Sequence, residues 1–212
     1  MSWAVIGGSG PLPLVDGFAA LPPPPSRYGE PSGGLSRGRI ADTEVIFLPR
    51  HGRPRRIAPH RINYRANVDV LAALEVEGVL ALNTVGGISG DAQAGRLYVP
   101  DQIIDYTWGR EHTFSGDDEP IHADFAEPLD GALRLRLIDA AGRAGVDVVP
   151  RGVYGCTQGP RFETAAEIER MARDGCDLVG MTGMPEAALA RERGLPYAML
   201  SLVVNPAAGR AV

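Results

Sequence analysis

The stretch Val79-Leu80-Ala81-Leu82-Asn83-Thr84-Val85-Gly86-Gly87-Ile88-Ser89-Gly90 decides the fold class. Val79 to Asn83 reads as a buried strand, and Thr84 to Gly90 is too glycine-rich for regular structure. Upstream, Asn67 to Glu77 carries helical spacing and is closed by Gly78. A helix, a buried strand and a loop of glycines and small hydroxyls predict α/β layers with ligands held in the loops at strand ends.

The same alternation runs outward in both directions. Towards the N-terminus, Trp3 to Ile6 is a strand ending in Gly7-Gly8-Ser9-Gly10. Pro22 to Pro25 is an extended surface loop, and Arg39-Ile40 with Glu44 to Leu48 forms a hairpin around Ala41-Asp42-Thr43. Towards the C-terminus, Leu97 to Val99, Ile103 to Tyr106, Val153 to Cys156, Asp177 to Gly180 and Tyr197 to Val204 read as strands. Leu133 to Ala144 is an amphipathic helix. Thr164 and Glu167 form a capping-box pattern for a helix running to Arg173 and Gly175, and Pro185 opens a helix ending at Gly194. No internal repeat interrupts the pattern, so residues 1–212 read as one domain.

Composition removes whole classes of function. All 21 basic residues are arginine, so a Schiff-base lysine, pyridoxal-phosphate attachment and a Walker A lysine are excluded. A net charge of -5 argues against a nucleic-acid partner. No run approaches the ~20 apolar residues of a membrane helix, and the start of the chain lacks a signal-peptide core, which predicts a cytoplasmic protein with no membrane partner. Cys156 and Cys176 lack disulfide or zinc spacing. His51, His60, His112 and His122 include no metal-binding pair.

Two residues forty-two apart suggest what is bound. Glu163 can accept the N1–H of a 6-oxopurine, while the Asn205 amide can donate to O6 and accept from a protonated N7. Adenine presents the opposite pattern, and a site built on hydrogen bonds rejects such a mismatch by roughly 10⁴-fold or more. Other residues suit an anion. Ser9 lies in a glycine turn whose N–H groups can wrap one, Arg50 and His51 follow a strand and can both donate to phosphate, and Thr84 and Thr182 stand at a strand end and a helix start. Each also has a plain structural reading: Ser9 as part of an ordinary turn, Thr84 and Thr182 as caps, and Arg50 with Arg53, Arg55 and Arg56 as one solvated basic loop. Phe162 has the face to stack on a ring and Met181 the sulfur to pack under a ribose, though both residue types are common in cores. With no nucleophilic side chain suggested, the anion itself is the candidate nucleophile.

Taken in order, Ile6 to Gly10, Arg50 to Gly52, Asn63 to Asn67, Asn83 to Ser89, Gly159 to Glu163, Met181 to Glu186 and Asn205 resemble the purine nucleoside phosphorylase and methylthioadenosine phosphorylase family. Val85 to Ile88, Ile104 to Thr107, Gly109 to Thr113 and Met181 to Arg191 look most like the bacterial members acting on 5'-methylthio-6-oxopurine nucleosides. The resemblance implies a twisted mixed β-sheet flanked by helices, in a homotrimer that needs no cofactor and uses inorganic phosphate as co-substrate. It implies phosphate held by Ser9, Arg50, His51, Thr84 and Thr182, ribose beside Met181, and base among Phe162, Glu163 and Asn205. It also implies that a neighbouring subunit brings His122 near the 5' substituent, close to Pro59. Methylthioadenosine phosphorylases carry Asp where this chain has Asn205, in line with a 6-oxopurine. Relatives continue into a C-terminal helix over the base and 5' group, whereas this chain stops seven residues after Asn205. That difference predicts an open 5' pocket. A general inosine and guanosine phosphorylase, a methylthioadenosine phosphorylase tolerating Asn205, and a non-catalytic nucleoside-binding protein remain alternatives.

Overall fold

A computed structural model describes residues 2–8, 12–53, 57–116 and 120–210. Among the described residues eleven strands form one mixed sheet, with four α-helices packed around it. The axis is β5 (Val79–Gly87). Along one edge it bonds in parallel with β11 (Tyr197–Pro206) over its whole length. Its other edge is shared between β1 (Ser2–Gly7), parallel at Val79 to Ala81, and β10 (Leu178–Gly180), antiparallel at Gly86 and Gly87. From β1 the sheet continues through β4 (Thr43–Pro49), β3 (Leu35–Ile40) and β2 (Ala19–Leu21). From β10 it continues through β9 (Val153–Cys156) and β7 (Gln102–Asp105), and from β11 through β6 (Leu97–Tyr98) and β8 (Val148–Val149).

This pairing corrects the reading of Thr84 to Gly90 as irregular. Thr84 to Gly87 belong to β5, because β11 and β10 supply partners on both edges of the glycine end. Tertiary hydrogen bonds override the weak strand propensity of glycine here. Glycine is also required by space: a Cβ on Gly87 would stand 1.7 Å from the Ala92 carbonyl oxygen.

The first helix, α1 (Tyr64–Ala73), starts and ends earlier than expected. The Asn63 side chain caps it by accepting from the Ala66 N–H at 3.1 Å and donates to the Tyr28 carbonyl at 2.8 Å. Glu75, not Gly78, takes the left-handed conformation after its last turn, with φ 52°. Gly78 is needed instead for its proximity to Trp3, whose ring would lie 2.7 Å from a Cβ there. Asn67 is buried inside α1, where it exchanges hydrogen bonds with the Ser32 N–H and hydroxyl at 2.7 and 2.8 Å.

The remaining helices are α2 (Gly131–Arg143), α3 (Ala165–Arg173) and α4 (Gly183–Glu192). The capping box expected for α3 is present, with Thr164 and Glu167 exchanging bonds at 3.1 and 2.7 Å. The backbone of α4 is non-helical at Met184, so regular helix begins at Pro185, as the sequence indicates. The hairpin turns at Ala41, and Pro22 to Pro25 have no regular structure, both as expected. The main core joins Ile6, Ile46, Leu48, Leu71, Val79, Ala81, Met199 and Val203 from β1, β4, α1, β5 and β11. Each of these side chains larger than Ala81 contributes about 1.5–3 kcal/mol on burial. That core fixes the strand ends from which the site is built.

Candidate active site

A cleft of about 640 Å³ opens where β4, β5, β10 and β11 approach one another. Arg50 and His51 reach it from the end of β4, Thr84 from β5, Met181 and Thr182 from the turn into α4, and Asn205 from β11. Phe162 and Glu163 enter from the loop before α3, and Pro59 from a 3-10 turn at Pro59–Arg61. Ser9 lies outside the described residues, while its neighbour Gly8 lines the cleft. His122 is exposed and does not line the cleft of its own chain.

The deep end is organised around Arg50, whose side chain is 1 % exposed. Its Nε and Nη2 donate to the Glu186 carboxylate, each at 2.8 Å. Nη2 also donates to Asn83 Oδ1 at 3.2 Å and Nη1 to the Leu82 carbonyl at 3.0 Å. Four of the five guanidinium N–H groups are thereby occupied. Among the described residues, the second hydrogen on Nη1 has no acceptor. This nitrogen lies 3.7 Å from where a Cβ on Gly8 would stand, on the side of the cleft suited to an anion.

Burial opposes the charge on Arg50, but attraction and hydrogen bonding from Glu186 overcome it and raise the guanidinium above its ordinary range. Glu186 is fully buried and also accepts from the Tyr197 hydroxyl at 2.7 Å. Burial, reinforced by the Glu186 charge, pushes that hydroxyl well above the usual tyrosine range and keeps it a donor. Thr182 is also buried and makes no side-chain cap bond to α4. Its backbone N–H donates to the Tyr154 hydroxyl at 3.4 Å. Cβ atoms on Gly180 and Gly183 would stand 2.1 and 2.9 Å from the fully buried Tyr154, which accounts for glycine on either side of Met181 and Thr182. His51 Nδ1 lies 2.8 Å from the Ile57 carbonyl, which orients its ring.

The shallow end is different in kind. Phe162 is 81 % exposed. Glu163 accepts a 2.6 Å bond from the Thr157 hydroxyl through Oε1, and among the described residues Oε2 has no hydrogen-bond donor. Asn205 is exposed and donates from Nδ2 to the Pro206 carbonyl at 2.7 Å. It lies within β11, not after it, because the strand carries a bulge between Val203 and Asn205. Simple alternation would point Val204 and Asn205 to opposite faces. Past the bulge, both line the cleft.

Several contributors were not assigned from sequence. Glu186 could have been found as an acid on the same helix face as Leu189 and Ala190, which are both buried. Asn83, Tyr154, Tyr197 and Thr157 carry no local signal, since these partners are 6 to 33 residues away in sequence. Arg110 sits behind the cleft and binds the backbone of two of its loops. Among the described residues no group of His, Cys, Asp and Glu could hold a metal ion. No described helix is long and apolar enough to cross a membrane.

The family model described as "Phosphorylase superfamily" matches residues 2–211. A probable S-methyl-5'-thioinosine phosphorylase from Pseudomonas syringae pv. tomato is 53% identical over 213 residues, covering 99% of this chain and 86% of that protein. A 6-oxopurine nucleoside phosphorylase from Pyrococcus furiosus is 43% identical, over 97% of this chain and 80% of that protein. The structure of methylthioadenosine phosphorylase from Schistosoma mansoni in complex with tubercidin superposes with a TM-score of 0.90 at 35% identity, covering 97% of this chain and 80% of that one.

Proposed function

This chain belongs to the phosphorylase superfamily, and from that premise we propose that it cleaves S-methyl-5'-thioinosine with phosphate to give hypoxanthine and 5-methylthioribose 1-phosphate. The observation that carries the reading is that Glu163 and Asn205, forty-two residues apart, line one cleft whose other end holds Arg50, Thr84 and Thr182. The first pair suits a 6-oxopurine and the second group an anion. The naming of the relative at 53% identity supports the 5'-methylthio group.

In this reading a phosphate oxygen forms a bond to the anomeric carbon as the bond from that carbon to the purine N9 breaks. The electron pair leaves with the purine, which takes a proton from solvent at N7. Asn205 exchanges its bond to Pro206 for one from its Nδ2 to O6, and its Oδ1 receives the N7–H. This stabilises the developing charge by roughly 3 kcal/mol, by analogy with oxyanion donors. Glu163 orients the base through N1–H. The free hydrogen on Arg50 Nη1, with His51, Thr84, Thr182 and Ser9, holds the dianion in line, an alignment worth several kcal/mol as effective molarity. Met181 packs under the ribose and Phe162 against the base. Phosphate is the nucleophile and co-substrate, and the scheme requires no other cofactor.

The proposed assembly is a cytoplasmic homotrimer in which a neighbour's His122 approaches the 5' group. The experiment is base release from 5'-methylthioinosine, methylthioadenosine and inosine, each with and without phosphate. Phosphate-dependent hypoxanthine release fastest from methylthioinosine supports the proposal. Equal rates with inosine reduce it to a general 6-oxopurine phosphorylase, and saturable purine binding without release replaces it with a binding protein.

A further inference from the structure

Arg110 does not line the cleft, yet it is buried and bonds to the two segments that carry the cleft's shallow and deep ends. Its Nη2 donates to the carbonyls of Thr157 and Gln158 at 3.2 and 2.8 Å, and Nε donates to Gln158 Oε1 at 3.1 Å. These residues begin the loop that presents Phe162 and Glu163, and the Thr157 hydroxyl bonds Glu163 directly. Nη1 donates to the carbonyls of Met181 and Met184 at 2.9 and 2.6 Å, which flank Thr182, and to the Tyr64 hydroxyl at 3.2 Å. Among the described residues Arg110 has no ion pair. Its charge is met by carbonyl and side-chain dipoles from both segments, so neither can shift without disturbing bonds to the same planar group.

We propose that Arg110 is a positioning residue that couples the base end of the cleft to its phosphate end, so that filling one end tightens the other. This inference rests on the proposed function for the identity of the two ligands. A rigid guanidinium bonded to both segments gives the cleft one shared arrangement, and a ligand that orders either segment pre-orders its neighbour. Lysine keeps the charge but has three donors on one nitrogen, which cannot span six acceptor contacts.

The test is calorimetric binding of hypoxanthine with and without inorganic phosphate, on the full chain and on Arg110→Lys. The native protein should bind hypoxanthine about fivefold or more tightly when phosphate is present, the lower bound of ordinary coupling between sites. Arg110→Lys should lose that enhancement while its affinity for each ligand alone falls much less. Gln158→Met, which removes the oxygen that accepts from Arg110 Nε and from the Trp108 N–H, should lose part of it and serves if Arg110→Lys does not fold. No enhancement in the native protein, full enhancement in a folded variant, or a uniform loss of both single-ligand affinities would overturn the proposal. Phosphate-dependent base release, measured on the same native preparation, separates a failure of this inference from a failure of the proposed reaction.

Discussion

Replacing Glu186 with glutamine tests whether the buried pair beneath the cleft sets the anion site. The carboxylate accepts three hydrogen bonds, from Arg50 Nε and Nη2 at 2.8 Å each and from the Tyr197 hydroxyl at 2.7 Å. Glutamine keeps the shape but offers one oxygen and one NH2. With its oxygen in the position shared by Nη2 and Tyr197, its NH2 faces the Arg50 Nε–H, donor against donor. The opposite orientation loses two bonds instead of one. Charge-assisted bonds are each worth about 1.5–3 kcal/mol, and leaving a buried charge without its partner costs about 3–5 kcal/mol in all. For a chain of this size each kcal/mol lowers Tm by about 2–4 °C, so Glu186→Gln should melt roughly 6–20 °C lower. With its Nε bond lost, Arg50 keeps its bonds to Leu82 and Asn83 but is held less firmly, and Nη1 is aimed less well at the anion side of the cleft. KM for phosphate should then rise about tenfold, equivalent to about 1.4 kcal/mol, with a much smaller change in KM for the nucleoside. Thermal melts and phosphate saturation of base release read the two effects separately. An unchanged Tm would refute the energetic argument, and a lowered Tm with unchanged phosphate saturation would refute the link from Glu186 to the anion site.

Asn205→Asp should move the preference towards 6-aminopurines, because the carboxylate accepts where the amide donates; an unchanged ratio of inosine to adenosine turnover counts against the assignment. Arg161 and the Thr164 N–H hold the Glu167 carboxyl down at about 2, against an ordinary 4.5. A lowered folded-state value contributes stability above about pH 4.5 that is lost as pH falls towards 2, so native protein and Glu167→Gln should converge in acid melts over that window. The effect is small because the Glu167 side chain is 43% exposed, and a constant gap across the window would be the contrary result. Burial pushes the Cys156 thiol up to about 12, so iodoacetamide should label it at pH 8 only after unfolding; labelling of the native state at the unfolded rate would contradict its burial.

Much of the layout is legible in local pattern. The strand at Val153 to Cys156 matches to the residue, and the Thr164 and Glu167 capping box needs only positions three apart in sequence. What escapes local pattern depends on contacts made elsewhere in the chain. The glycines of β5 become strand only because two other strands claim their edges. Asn205 turns to the cleft through a bulge with no sequence signature, and Glu186 is recognisable as the partner of Arg50 only once residues 136 apart are brought together. The candidate ligand-facing residues were legible because their side-chain chemistry suits a ligand. Arg110 was not, because it acts on carbonyls, which every residue has.

The two ends of the cleft contrast most at Arg50, whose side chain is 1 % exposed, and Phe162, which is 81 % exposed. Substitutions in buried networks commonly remove several kcal/mol, whereas exposed positions usually tolerate exchange within about half a kcal/mol. The Arg50 guanidinium that would grip the anion is therefore bound to the integrity of the domain, and the Phe162 ring that would meet the base is nearly independent of it. In protein engineering, this makes the choice of leaving group the adjustable property of the scaffold and the attacking group its fixed one. Libraries at Phe162, Glu163 and Asn205 should return mostly folded proteins with altered purine preference, whereas libraries at Arg50 should return mostly unfolded ones.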